Sequence, residues 1–422
     1  MAATPARLNE LRALREQLQT RYAALKAAGL TLNMARGKPA ADQLDLSKEL
    51  LSLPGANDYT ASNKEDCRNY GNLQGIPEAR ELFAPVLGVS ADNVVIGDNS
   101  SLALMHDCIA FALLKGTADG AAWQPSDTAF LCPVPGYDRH FAICEEFGIR
   151  LIPVTLNDDG PDMDQVEQLV ANDPTIKGMW CVPKYSNPTG AIYSDAVVER
   201  LARMKTAAGD FRLFWDNAYA IHHLNGEAAT IANIVELCAK HGNPNRAYVF
   251  ASTSKVTLAG AGVAMFGSSP ANVKWLLARM NQRTIGSDKV NQLRHVRFLR
   301  DQDGLKALMN QHAAILKPKF DKVVEVFQKE LGEWGVATWT VPTGGYFISL
   351  DVPDGLARRV VQLAKEAGIV LTPAGATFPL GQDPRDRNIR IAPSFPGLEE
   401  ITKAAEGVSL CVLLAVAESQ AA

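Results

Sequence analysis

The chain has 422 residues, 47% of them apolar and 21% charged, the balance of a soluble globular protein with a large core. Its 42 basic and 46 acidic residues leave a net charge of −4, which gives no basis for binding nucleic acid or an anionic membrane through bulk charge. Seven cysteines without CxxC or CxxH spacing offer neither a disulfide framework nor a metal motif, and read as reduced thiols in a cytoplasmic protein.

Residues 5–28 read as one amphipathic helix, with Leu8, Leu11, Leu18, Tyr22 and Leu25 on a helical spacing and Gly29 as its stop. This opening is charged and helix-forming, unlike a signal peptide. The loop 33–39 follows, where Gly37 between Arg36 and Lys38 suits either a plain turn or a stretch lying against an anionic ligand. From about Tyr70, helix and strand alternate. Pro77 opens a helix that runs to Leu87. Strands are expected over 94–96, 129–132, 151–154, 178–182, 212–215, 247–250 and 263–266, with Pro153 suggesting a sheet edge. Helices fill most of the gaps, among them 102–114, 196–207 and 231–240. The alternation predicts an α/β fold whose mainly parallel sheet is covered on both faces.

The pattern changes after Lys289. A helical stretch over 290–331 is bent or interrupted near Gly304 and Pro318. Strands follow near 337–340 and 346–350, then a helix over 356–367, strands over 369–371 and 389–392, and a last helix over 398–416. The longest apolar run, 410–417, is too short to span a bilayer. The expected organisation is an N-terminal segment over 1–48, a large domain over 49–300 and a smaller α+β domain over 301–422, with the N-terminal helix packed on the last.

One stretch organises the rest. Ser252-Thr253-Ser254-Lys255 follows the apolar strand 247–250 and precedes the glycine-rich bend 258–262. Open α/β sheets bind ligands at such strand ends. A lysine there can attack a carbonyl, and the hydroxyls beside it can bond an anion, the pair of features that a Schiff base with pyridoxal phosphate requires. Alone, the motif also fits a surface lysine after a strand.

Five further sites are each weak alone. Asn99-Ser100-Ser101 joins a strand to a helix, where free N–H groups bind phosphate or the serine simply caps the helix. The run 133–140, Pro-Val-Pro-Gly-Tyr-Asp-Arg-His, offers Tyr137 to lie flat on an aromatic ring, or is a stiffened turn. Asn187 precedes Pro188 in an extended dipeptide that can aim its amide into a cleft, or belongs to a β-turn. Asp216 ends a hydrophobic strand, where an unpaired carboxylate is costly to bury and a protonated pyridine nitrogen would offset the cost, or it caps the next helix. Arg390 interrupts an apolar strand and can grip a carboxylate with two parallel bonds, or is a partly exposed strand arginine.

Taken in order and spacing from Gly37 to Arg390, these sites resemble the fold type I pyridoxal-phosphate aminotransferases of class I. The stretches 69–77, 183–190 and 288–295 are similar to a bacterial subgroup of aspartate aminotransferases. The resemblance implies that Lys255 forms the internal aldimine and shuttles the α-proton. It implies that Asp216 pairs with the pyridine nitrogen, with His140 as its buttress, and that Tyr137 stacks on the ring. Asn187 and Tyr219 would bond the phenolic oxygen. Ser100, Ser101, Ser252 and Ser254 would hold the phosphate, joined by Tyr70 from the other subunit of a homodimer. Arg390 would take the substrate α-carboxylate, with Asn187 and the Gly37 backbone beside it. One departure is plain: the family's phosphate-binding arginine, eight residues after the lysine, is replaced by Val263.

The implied activity is ping-pong transamination of aspartate with 2-oxoglutarate. Aromatic or 2-aminoadipate donors, or a lyase on the same fold, are the alternatives. A regulator using this fold would carry a DNA-binding domain, for which the first forty residues leave no room, and a purely structural protein would not need Lys255 and Asp216. No motif fixes the cation that reads a second carboxylate. Arg283 of the neighbouring subunit is the expectation, and Arg36 and Arg139 are its competitors.

Overall fold

The computed structural model describes residues 5–419. Its central sheet has eight strands in the spatial order Val94–Ile96, Ala264–Gly267, Ala247–Ser252, Arg212–Asp216, Ile176–Cys181, Ala129–Val134, Arg150–Asn157, Gly160–Pro161. The five strands from Ala247–Ser252 to Arg150–Asn157 pair in parallel. Ala264–Gly267 runs antiparallel to both of its neighbours. Pro153 lies in the strand Arg150–Asn157, whose outer side is paired only at Leu156 and Asn157, so its missing N–H faces an open edge.

Side-chain alternation along these strands divides two cores. Leu213, Trp215, Val249 and Ala251 face one side. Phe214, Tyr248, Phe250, Phe130 and Trp180 face the other. Both faces are therefore apolar, which is why the strands read as near-continuous hydrophobic runs. A third core gathers the N-terminal helices, the C-terminal helix Leu398–Glu418 and the three-stranded antiparallel sheet containing Ile348–Asp351 and Asn388–Ile391. Tyr185 and Tyr219 join this third core from the side of the large sheet.

Two expected boundaries move. The N-terminal helix is broken at Leu14 into Pro5–Ala13 and Arg15–Ala27, although Gly29 does turn left-handed (φ 61°) after it. The long helical stretch divides not at Gly304 but at Arg300, which is left-handed (φ 65°). There Asp301 accepts a hydrogen bond from Gly304 N–H at 2.8 Å and starts the helix Gln302–Leu331, which then runs through Pro318. A helix over Asp138–Glu146, outside the expected set, follows Tyr137 directly.

Candidate active site

The parallel strands end on one side of the sheet, and the polar residues found there are mostly buried. Asp216 closes the strand Arg212–Asp216 and is 3% exposed. Its Oδ2 lies 2.8 Å from His140 Nε2. Its Oδ1 is buried with no hydrogen-bond partner among the described residues. A buried acceptor left unpaired costs about 1–3 kcal/mol, more when charged, so this oxygen marks the place of a donor from outside the chain. His140 is fixed on three sides. Its ring stacks on Trp180 at 4.4 Å, meets the Tyr137 ring edge-on at 4.8 Å, and sits in the first turn of the helix Asp138–Glu146.

Lys255 reaches the same pocket from the loop after the strand Ala247–Ser252. Its Nζ lies 5.1 Å from the centre of the Tyr219 ring and 5.7 Å from that of Tyr346. Burial lowers the lysine pKa below its ordinary value. The charge of Asp216 opposes that shift, and the charge of Arg390 adds to it. Among the described residues, no carboxylate forms an ion pair with Nζ. The Tyr219 phenol is pushed far up, first by burial and then by Tyr137 and Asp216, so it stays a hydrogen-bond donor.

Arg390 stands on the strand Asn388–Ile391 and is 6% exposed. Its Nη1 donates to Asp138 Oδ1 at 2.8 Å and to Asn187 Oδ1 at 3.3 Å, and its Nε donates to Thr372 Oγ1 at 3.3 Å. The guanidinium lies 4.9 Å from the Phe347 ring centre. The loop holding Gly37 packs on the same ring: a Cβ at Gly37 would fall 2.5 Å from Phe347 Cζ, so a side chain there would have to push the ring aside. Thr372 Oγ1 in turn donates to the carbonyl of Ala35 at 2.7 Å. The N-terminal loop thus reaches the arginine through one hydroxyl and one ring.

An anion cradle lies nearby. Ser100 caps the helix Ser101–Lys115, its Oγ accepting from Ala103 N–H at 3.4 Å. Ser252 and Ser254 bond each other through their hydroxyls at 3.0 Å. The two loops meet at Gly262, where a Cβ would stand 3.0 Å from Asn99 O and 3.5 Å from Ser254 N. Hydroxyls and the free N–H groups of a helix start therefore share one neighbourhood, the arrangement that binds phosphate. Val263 is core, 2% exposed, and its N–H donates to Thr253 Oγ1 at 2.9 Å.

Lys255, Asp216, Tyr219, Tyr137, His140, Asn187 and Arg390 thus converge, and the serines lie beside them. Two expected residues do not join them within one chain. Tyr70 is 80% exposed, and the hydrogen bonds it makes among the described residues are through its backbone, its carbonyl accepting from Lys289 Nζ at 3.3 Å and its N–H donating to Asn69 Oδ1 at 2.9 Å. Arg283 is engaged by two carboxylates of its own chain, Asp98 at 2.5 Å and Asp107 at 3.0 Å. Arg36 and Arg139 are exposed and make no ion pair among the described residues. Asp138, Thr372, Tyr346 and Phe347 escaped the sequence reading. Asp138 stood inside the run 133–140, and its signal was an acidic first-turn position beside Tyr137.

A model of the aspartate amino-transferase family matches residues 7–422. An aspartate aminotransferase of Corynebacterium glutamicum is 52% identical over 408 residues, covering 96% of this chain and 94% of its own length. The crystal structure of an aspartate transaminase from that bacterium superposes with a TM-score of 0.94 at 51% identity, covering 97% of each chain. An α-aminoadipate aminotransferase of Thermus thermophilus, crystallised with a phosphopyridoxyl-leucine adduct, has a TM-score of 0.74 at 20% identity over 90% of this chain and 92% of its own, a likeness of fold.

Proposed function

The chain belongs to the aspartate aminotransferase family, and from that premise we propose that it exchanges the amino group of aspartate for the oxo group of 2-oxoglutarate in a ping-pong reaction. Enzymes of this family use pyridoxal 5′-phosphate, which supplies an aldehyde to take up the amino group and a ring to accept the electron pair of the broken Cα–H bond. The carrying observation is the unpaired, buried Oδ1 of Asp216 in the pocket that also holds Lys255. A protonated ring nitrogen is the donor that oxygen lacks.

The chain's own residues then divide the work. Lys255, its pKa lowered by burial, carries the proton taken from the substrate Cα and returns it. Asp216 holds the ring nitrogen in its protonated form, and His140 holds Asp216. Tyr137 covers the ring. Tyr219 donates to the phenolic oxygen. Asn187 does the same with its amide N–H, because its Oδ1 is already taken by Arg390. Ser100, Ser101, Ser252 and Ser254 hold the phosphate together with the helix N-terminus, without an arginine at Val263. Arg390 takes the α-carboxylate. Asp138, already on one of its N–H groups, marks where a carboxylate is gripped, and the Gly37 backbone closes that side.

The exposed Tyr70 phenol supports a homodimer in which it reaches the partner's phosphate site. One core joins the N-terminal helices to the C-terminal part of the chain and the other two lie mainly within 49–300, which supports a large domain over 49–300 and a smaller one over 301–422 that carries the segment 1–48. Seven free, buried cysteines support a cytoplasmic setting. No helix among the described residues is long and apolar enough to cross a membrane. The test is an assay of amino donors with 2-oxoglutarate while the cofactor absorbance is followed. Aspartate is expected to turn over fastest, giving oxaloacetate and glutamate. Release of ammonia without any oxo-acid acceptor would make the protein a lyase instead.

A further inference from the structure

The loop that carries Lys255 leaves the strand Ala247–Ser252 with polar groups that neither strand nor helix pairs, and three histidines meet them. His222 Nε2 lies 3.3 Å from the carbonyl of Lys255 itself. His312 Nε2 lies 2.9 Å from the carbonyl of Val256. His295 Nε2 lies 2.9 Å from Thr257 Oγ1 and 3.3 Å from Thr253 Oγ1. The rings come from three separate places: the turn after Tyr219, the helix Lys289–Leu299 and the helix Gln302–Leu331. None is more than 4% exposed.

Their partners fix their hydrogen positions. A carbonyl only accepts, so His222 and His312 each point an Nε2–H at the loop. The Gln43 amide donates to His312 Nδ1 at 3.1 Å and to Tyr346 Oη at 2.9 Å, which makes Nδ1 an acceptor and the ring neutral. His295 donates its Nδ1–H to the Asn291 carbonyl at 2.7 Å, so its Nε2 accepts from the threonine hydroxyls. His222 Nδ1 is buried without a partner among the described residues, and a proton there would have no acceptor. Burial lowers the pKa of all three rings, and the charge of Lys255 lowers that of His222 further.

We propose that His222, His295 and His312 are positioning residues that clamp residues 253–257, His222 and His312 through backbone carbonyls and His295 through the two threonine hydroxyls, and so aim Lys255 into the cleft. A lysine side chain has four rotatable bonds, so the fold can fix only its base, and a misplacement of about 1 Å at a reacting group costs roughly 100-fold in rate. Neutral imidazoles suit the task better than arginine or lysine. They hold two successive carbonyls without setting a second positive charge beside an amine that must take up and release a proton. The proposal rests on the reading of Lys255 as the proton carrier, and the clamp itself is geometry.

The test pairs two kinds of variant in the holoenzyme. His222→Phe and His312→Leu remove the N–H donors, whereas His222→Gln and His312→Gln keep one near the Nε2 position. Backbone amide exchange over residues 253–257 is read by mass spectrometry, alongside kcat and KM for aspartate and the pH titration of the visible absorbance. The donor-free variants should exchange about tenfold faster there and lose about tenfold in kcat, with KM held within about twofold and the titration midpoint shifted. The glutamine variants should return exchange and kcat to within about threefold of wild type. Unchanged exchange and kcat in the donor-free pair, or glutamine variants as impaired as the donor-free ones, would overturn the clamp. If the donor-free pair does not fold, the glutamine pair decides: protection with retained kcat supports the clamp, and lost protection with full kcat refutes it. A wild-type protein lacking any borohydride-reducible cofactor linkage at residue 255 would instead refute the role of Lys255, whatever the exchange data say.

Discussion

The same strands carry buried charge at both ends, and the two ends are finished differently. At the N-terminal end, Arg246 donates to the carbonyls of Leu201, Ala202 and Met204 at 2.9–3.2 Å, where the helix Asp195–Arg203 ends. Arg212, one strand over, is bound by Asp119 and lies over the Tyr248 ring, with its Nε alone unpaired. At the C-terminal end, among the described residues, Asp216 keeps one oxygen without a donor and Lys255 makes no ion pair. Both ends bury charge at a cost. The chain offsets that cost from within at one end and leaves it for a ligand at the other. Burial alone therefore does not mark a site; incomplete pairing of several converging groups does.

The largest expected effect removes the open end's amine. Lys255→Ala should abolish transamination and the cofactor linkage together, read by turnover and by borohydride fixation followed by peptide mapping. A linkage that survives in this variant would assign the role to another amine. Asp216→Ala should still bind cofactor but lose kcat by roughly 30-fold to several thousand-fold, the effect of deleting one partner of a buried, hydrogen-bonded charge pair worth about 2–5 kcal/mol. Wild-type proton exchange at the substrate Cα in that variant would refute the pairing.

Acid should separate the two ends next. The arginines of the N-terminal end keep their charge throughout, whereas the lysine loop is floored by neutral histidines. Burial lowers His295 from 6.5 to about 4. The unfolded chain therefore binds a proton that the folded one refuses, and stability present above about pH 6.5 is lost as pH falls toward 4. This one ring accounts for about 3 kcal/mol of that loss. His222 and His312 shift in the same direction and add to it. Denaturant titrations at pH 7 and pH 4.5 measure the loss, and His295→Asn should flatten it.

The closed end answers a smaller perturbation. Arg246→Met keeps the stem and deletes the donors to three carbonyls, so stability should fall by about 2 kcal/mol while kcat per folded molecule stays within about twofold. A selective loss of kcat would show that the two ends are coupled.

The contrast also explains what could be read from the sequence. The sheet was legible because its strands are apolar on both faces, and Lys255, Asp216, Asn187 and Arg390 because each interrupts or ends such a run. Asp138, Thr372 and Phe347 were not, because what places them is contact with residues far away in the chain: Asp138 with Arg390, Thr372 with Ala35 and Phe347 with Gly37. His222 and His312 belong to no motif and His295 enters only within the run 288–295, so only the fold shows that they face one loop. The division of the long helical stretch was misplaced for a local reason: Arg300 adopts a left-handed conformation that glycine would normally signal.

The smallest effect concerns Arg283, expected from sequence to read the side-chain carboxylate of aspartate. By the test of pairing, Arg283 belongs with the closed end. Its Nη2 is 2.5 Å from Asp98 and its Nε is 3.0 Å from Asp107, so the Nε–Nη2 edge of the guanidinium already faces two carboxylates. A substrate carboxylate in the partner's site would have to displace an intramolecular anion to gain a bidentate grip on that edge. Arg36 and Arg139 carry no such commitment among the described residues. Arg36 follows Ala35, whose carbonyl is two hydrogen bonds from Arg390, and Arg139 follows Asp138, which touches it. Arg283→Ala should therefore change kcat/KM for aspartate by less than about threefold relative to alanine as donor. Loss of about 30-fold or more for the dicarboxylic donor alone is expected in Arg36→Ala or Arg139→Ala. If instead Arg283→Ala produces that selective loss, the ion pairs with Asp98 and Asp107 must open when substrate binds, and Asp98→Asn should then raise the affinity for aspartate.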